Sequence, residues 1–83
     1  MEDDEIRAAL RRGDEGAAFG LLLQAHGKTI FARCHRILHD ETAAEDVMQQ
    51  VLIAAFKHRK KLIQVESIRG WLICGAVRRC IDA

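Results

Sequence analysis

The sequence predicts an all-α fold, a compact helical bundle of about four helices in a single domain spanning residues 1–83. Three observations carry that expectation. The chain contains no proline, so nothing forbids long helices. Alanine, leucine and arginine are plentiful while β-branched residues are scattered, which favours helix over strand. Apolar residues recur at three- and four-residue spacing, the period of a helix with one buried face. Hydrophobic residues make up 49% of the chain, enough for a core. A chain this short buries only about 60–65% of its unfolded surface, so the stability margin is thin.

The first element is a short, charged N-terminal helix within residues 1–12 that stops near Gly13. Asp14 is placed to cap the next helix, with Glu15 favouring its positive end. That helix runs to about Leu38, with Ala18, Leu21, Leu22, Ala25, Ile30, Cys34, Ile37 and Leu38 on or near one face, and Gly27 marks a possible kink. His39 to Glu41 form the turn. Thr42-Ala43-Ala44-Glu45 has the form of a capping box, in which a threonine oxygen accepts from the N3 amide and a glutamate reaches back. Ala44, Val47, Met48, Val51, Leu52, Ala55 and Phe56 then form a core stripe. A loop is expected from about Arg59 to Glu66. Ser67 caps a last helix whose inward residues are Ile68, Trp71, Leu72, Ala76 and Cys80. That helix reaches Ala83 without a cap or glycine, and so reads as cut short.

Net charge is only +1, but it is unevenly spread. Residues 1–41 hold six Lys/Arg against eight Asp/Glu, whereas residues 57–83 hold seven against two. A polyanion feels the nearest charges within a Debye length of about 10 Å, so the local excess matters more than the total. Three cysteines, none in a CxxC pair, sit among apolar neighbours. They read as free thiols packed as small hydrophobes in a reducing, cytoplasmic setting. The acidic start MEDDE is unlike a signal peptide, and no apolar stretch approaches the roughly 20 residues of a membrane span.

No catalytic constellation is visible: the chain carries no Gly-rich phosphate loop and no nucleophile elbow, so it reads as a non-enzyme without cofactors. His35 and His39 stand at i, i+4 beside Cys34, a spacing that can hold zinc, but Cys34 points to a different face and no metal is expected. Histidines here are read as surface residues. Asp46, Gln49 and Gln50 lie at i, i+3, i+4, opposite the core stripe, and can present donors and acceptors to one partner face. Arg59, Lys60 and Lys61, with Arg69, Arg78 and Arg79, could neutralise several phosphates. Trp71 could stack on an unpaired base, although its apolar neighbours also suit a core position.

In order, the chain shows D-E-G-A-A-F (Asp14 to Phe19), I-L-H-D (Ile37 to Asp40), A-E-D-V-M-Q-Q-V (Ala44 to Val51), a basic segment, S-I-R-G-W-L (Ser67 to Leu72) and I-D (Ile81, Asp82). Over roughly residues 6–83 this resembles the second domain of a bacterial sigma factor of the sigma-70 family, in its extracytoplasmic-function subgroup. The resemblance implies a compact helical domain that docks on the clamp helices of the RNA polymerase β′ subunit and captures the melted minus-ten element of a promoter. It assigns polymerase docking to Asp46, Gln49 and Gln50. The loop from Lys61 to Glu66 matches the segment that holds a flipped base of the non-template strand. The helix from Ile68 to Asp82 matches the segment that melts and reads minus-ten DNA, giving Arg59, Lys60, Lys61, Arg69, Trp71, Arg78 and Arg79 as the DNA-binding set. It also implies an anti-sigma partner, no membrane association and a cytoplasmic, nucleoid-associated location.

The sequence departs from the family pattern at several positions. An acidic residue is usual where Gln50 stands. Arginine is usual at Cys74 and asparagine at Arg78, and Gly75 interrupts a helix. The basic segment lacks the frequent aromatic and proline, and no second helix-turn-helix domain is supplied. The alternative expectation is a degenerate sigma-like interaction module that binds polymerase or a regulator without reading DNA. The short chain reads as an excised domain, a fragment or a stand-alone relic.

Overall fold

The computed structural model describes residues 2–82, and from residue 3 onward their side chains. Five helices follow one another: α1 (Glu2–Arg12), α2 (Glu15–Leu38), α3 (Glu41–Lys57), α4 (Arg59–Gln64) and α5 (Ile68–Asp82). No strand occurs among the described residues. The long α2 is the axis, with α1, α3 and α5 packed on it. α3 also packs on α5, and α1 reaches α4.

The α1–α2 corner is built by local chemistry. Gly13 takes φ +71°, the left-handed conformation that costs glycine little. Its N–H donates to Leu10 O at 3.1 Å and that of Asp14 to Ala9 O at 3.2 Å, the paired bonds of a Schellman ending. Asp14 then caps α2 by accepting from the Ala17 N–H at 3.1 Å, as expected. At the far end of α2, His39 takes the left-handed position at φ +55° and donates its N–H to His35 O at 2.8 Å.

Four local expectations change. α3 is capped by Asp40, whose carboxylate accepts from the Ala43 N–H at 3.0 Å. Thr42 therefore lies inside the first turn and no box with Glu45 forms. Aspartate caps slightly better than threonine, and its position two residues earlier wins the start. Second, Gly27 does not break α2, which is continuous through it. A Cβ on Gly27 would lie 2.9 Å from Leu23 Cδ1 and 3.8 Å from Met48 Sδ, so the glycine marks close approach of α3 to α2. Third, most of the expected loop after α3 is helical. The run Arg-Lys-Lys-Leu-Ile-Gln holds no glycine, and buried Leu62 anchors it to the core. Fourth, His26 is buried rather than on the surface, with Nε2 3.4 Å from Asp3 Oδ1 on α1.

The core otherwise follows the stripes. Ala18, Leu22, Ile30 and Cys34 of α2 meet Ala44, Val47, Val51, Leu52 and Ala55 of α3 and Ile68, Leu72, Ala76 and Cys80 of α5. Ile6, Ala9 and Leu10 close it from α1, whereas Ile37 is exposed. Ser67 caps α5 as expected, its Oγ accepting from the Gly70 N–H at 2.9 Å.

Cys34 and Cys80 pack together in this core, while Cys74 is exposed. Burial, reinforced by the neighbouring Cys80 thiol, pushes the Cys34 thiol up to about 12. The neutral form is thus favoured in the fold. The associated stability is fully present below the ordinary value of 9.0 and is lost as pH rises towards about 12. A thiol titration of the native protein is expected to label Cys74 rapidly and the other two only on unfolding; rapid reaction of all three would contradict this packing.

Candidate docking and nucleic-acid interfaces

The outward side of α3 carries Asp46, Gln49 and Gln50, all exposed, as the helical period requires. Gln50 Nε2 donates to Asp46 Oδ2 at 2.9 Å across one turn. The pair is therefore aligned but partly self-satisfied, with the carboxylate retaining acceptor capacity for a partner. Two residues that the spacing argument missed belong beside them. Ile53 is 47% exposed, and one turn beyond both glutamines it adds an exposed apolar side chain at the end of the polar row. Leu23 is 42% exposed and lines an apolar groove of about 360 Å³ with Gly27, Phe31 and Met48, flanked by Lys28 and Glu45. An apolar side chain off the α2 stripe was the available signal for Leu23.

On the other flank of α3 lies a cationic groove made of two adjoining clefts. One, of about 350 Å³, is lined by Gln50, Ile53, Ala54, Lys57, His58 and Arg79. The other, of about 310 Å³, is lined by Ala54, His58, Lys61, Trp71, Cys74, Gly75, Arg78 and Arg79. Ala54, His58 and Arg79 are common to both, so the groove runs from Gln50 to Trp71. Lys57, Lys61, Arg78 and Arg79 give it four cations, and no carboxylate among the described residues lines it. Trp71 is half-buried, with its ring 6.4 Å from that of His58. It is neither a plain core residue nor a free platform: its ring forms part of the groove wall. Gly75 keeps the wall low, and its carbonyl accepts from Arg79 Nη1 at 3.2 Å, which aims that guanidinium along the helix.

The structure thus brings together Lys61, Trp71, Arg78 and Arg79 from the expected set. Three others lie apart. Arg59 folds back on α3, its guanidinium carbon 4.6 Å from the Phe56 ring centre and Nη1 3.4 Å from Phe56 O. Lys60 is exposed on α4 outside the groove. Arg69 is exposed but does not line the groove; nine residues at about 100° each place it half a turn away from Arg78. Lys57 and His58, which belong to the same basic cluster in the sequence, and Cys74 and Gly75 line the groove outside the expected DNA-binding set. The i, i+4 spacing of Lys57 and Lys61, and the i, i+4, i+7 run Trp71, Gly75, Arg78, were the signals that define this face.

His35 stacks on Phe31 with ring centres 5.8 Å apart, and no group of three or more candidate metal ligands occurs among the described residues. No helix of the described residues is long and apolar enough to cross a membrane.

Comparison with curated proteins and with solved structures gave no match. The sequence model of one family, described as Sigma-70 region 2, matches residues 22–83. That stretch holds the polar outward face of α3, the whole cationic groove and most of the core of α2, α3 and α5, leaving α1 and the first turns of α2 outside it. It supports a sigma-factor-like role in transcription, with RNA polymerase core and promoter DNA as partners. The chain belongs to the sigma-70 family, as a region 2 domain.

Proposed function

We propose that this region 2 domain is non-enzymatic, belongs to the extracytoplasmic-function subgroup, and joins two tasks along α3. Asp46, Gln49 and Gln50, with exposed Ile53 one turn beyond the glutamines, dock on the clamp helices of polymerase β′. The apolar groove of Leu23, Phe31 and Met48 adds burial to that contact. The cationic groove then takes the displaced non-template strand of the minus-ten element. Lys61, Arg78 and Arg79 neutralise phosphates, Trp71 offers a stacking edge, and the segment after α4 holds an unpaired base. Lys60, Arg69 and the remaining donors of Arg59, outside the groove, add only long-range attraction to the phosphates. The protein works in the cytoplasm at the nucleoid, and an anti-sigma factor would act by covering the α3 face.

The observation that carries this reading is the groove itself: four cations and a tryptophan, no carboxylate among the described residues, and one end at Gln50. Single-stranded nucleic acid is held by cationic tracks combined with aromatic stacking surfaces. The rival reading, a sigma-like interaction module that has lost promoter opening, is favoured by Gln50, whose amide is spent on Asp46 rather than adding a second docking carboxylate. Titration of labelled protein with core polymerase tests the shared first step. Saturable binding that a peptide of the β′ clamp helices competes away is expected; absence of binding would sink the proposed function and leave the rival only in the form of a module that binds a regulator.

A further inference from the structure

The chain between α4 and α5 is held from outside the matched family stretch. α4 has six residues. Isolated helices below about 12–15 residues are marginal in water, so its shape depends on tertiary anchors. One anchor is buried Leu62. The other is Arg7, on α1. Its Nη1 donates to Leu62 O at 3.4 Å and to Ile63 O, and its Nη2 donates to Val65 O at 3.0 Å. The last carbonyls of a helix lack intrahelical partners, and a cation there also opposes the negative end of the dipole. The planar fork of arginine can span separate carbonyls, which a lysine ammonium cannot match. Val65 leaves the helix in an extended conformation, φ −70° and ψ 151°, and Ser67 caps α5 two residues later.

We infer that Arg7 is a positioning residue: it clamps the end of α4 so that the Val65–Glu66 segment holds one geometry for an unpaired base. α1 thereby becomes part of the DNA-holding apparatus and not only a member of the bundle. The inference rests on the proposed base-holding role of this segment.

Amide hydrogen exchange at Lys61, Leu62 and Val65, whose N–H groups donate to His58 O and Leu62 O, tests the clamp, using Arg7→Met, Arg7→Lys and, as a control within α1, Ala8→Gly. Exchange at these amides should rise about tenfold in Arg7→Met, reach an intermediate value in Arg7→Lys and stay unchanged in Ala8→Gly, with α2 and α3 protection constant throughout. Wild-type exchange in Arg7→Met, or a uniform rise across all helices, would overturn it. With polymerase-bound protein, affinity of Arg7→Met for a single-stranded minus-ten oligonucleotide should fall about tenfold at unchanged polymerase affinity. If the segment loosens and that affinity holds, the base-holding reading fails while the clamp stands.

Discussion

Replacing Asp46 by arginine should abolish docking on core polymerase while leaving the fold intact. Asp46 is exposed, and among the described residues its side chain accepts one hydrogen bond, the surface contact from Gln50. Surface pairs one turn apart contribute only about 0.2–0.5 kcal/mol to a helix, so thermal stability should barely change. Docking is different. Reversing a charge desolvated at an interface costs about 2–5 kcal/mol, or roughly 30-fold to several-thousand-fold in affinity. Binding of Asp46→Arg to core polymerase within about threefold of wild type would remove α3 from the interface. Gln50→Glu should move the other way. It places two carboxylates one turn apart, at a cost of a few tenths of a kcal/mol, and strengthens docking where the family usually presents an acid.

The second large effect is expected in the cationic groove. The pair Lys61→Glu and Arg78→Glu turns two of its four cations into acids from opposite walls, α4 and α5. Both residues are exposed, so the core is untouched. Loss of the counterion-releasing contacts should weaken single-stranded minus-ten binding at least about 50-fold at low salt and flatten its salt dependence. Arg69→Glu, on the other side of α5, provides the contrast. It changes the same net charge per residue but should weaken binding only about threefold, through long-range attraction alone. Equal losses for Arg69→Glu and for Arg78→Glu alone would mean that overall charge, not the groove, attracts the strand.

The elements legible from sequence were those fixed by near neighbours. Asp14, Gly13 and Ser67 are caps and turns made within a few residues, and the stripes of α2, α3 and α5 follow from the helical period. Features that depended on remote chain were not legible. α4 exists because Leu62 reaches the core and Arg7, 55 residues earlier, holds its end. His26 is buried because α1 lies over it. At α3, Asp40 and Thr42 were rival caps of similar strength, and a short-range rule does not choose securely between them.

The candidate site divides the same way. The residues proposed for docking share one helix face, so spacing grouped Asp46, Gln49 and Gln50 as neighbours, and Gln50 bonds Asp46 across one turn. The groove is assembled from three helices, and a count of nearby charges could not separate Lys61, Arg78 and Arg79 from Arg69, which projects elsewhere, or from Arg59, which is spent on Phe56. Ile53 escaped notice because an exposed single isoleucine is ordinary. Its place one turn beyond Gln49 and Gln50, at the groove, is what gives it meaning.

The most direct test of the central claim is a salt series on polymerase-bound protein, following binding of the single-stranded non-template minus-ten strand against a scrambled strand of equal length. If Lys61, Arg78 and Arg79 each neutralise one phosphate, the logarithm of affinity should fall with the logarithm of salt at a slope of about −2, and the minus-ten strand should be preferred. A flat salt response with no preference between strands, from protein that still binds polymerase, would contradict the account and leave an interaction module that does not read DNA.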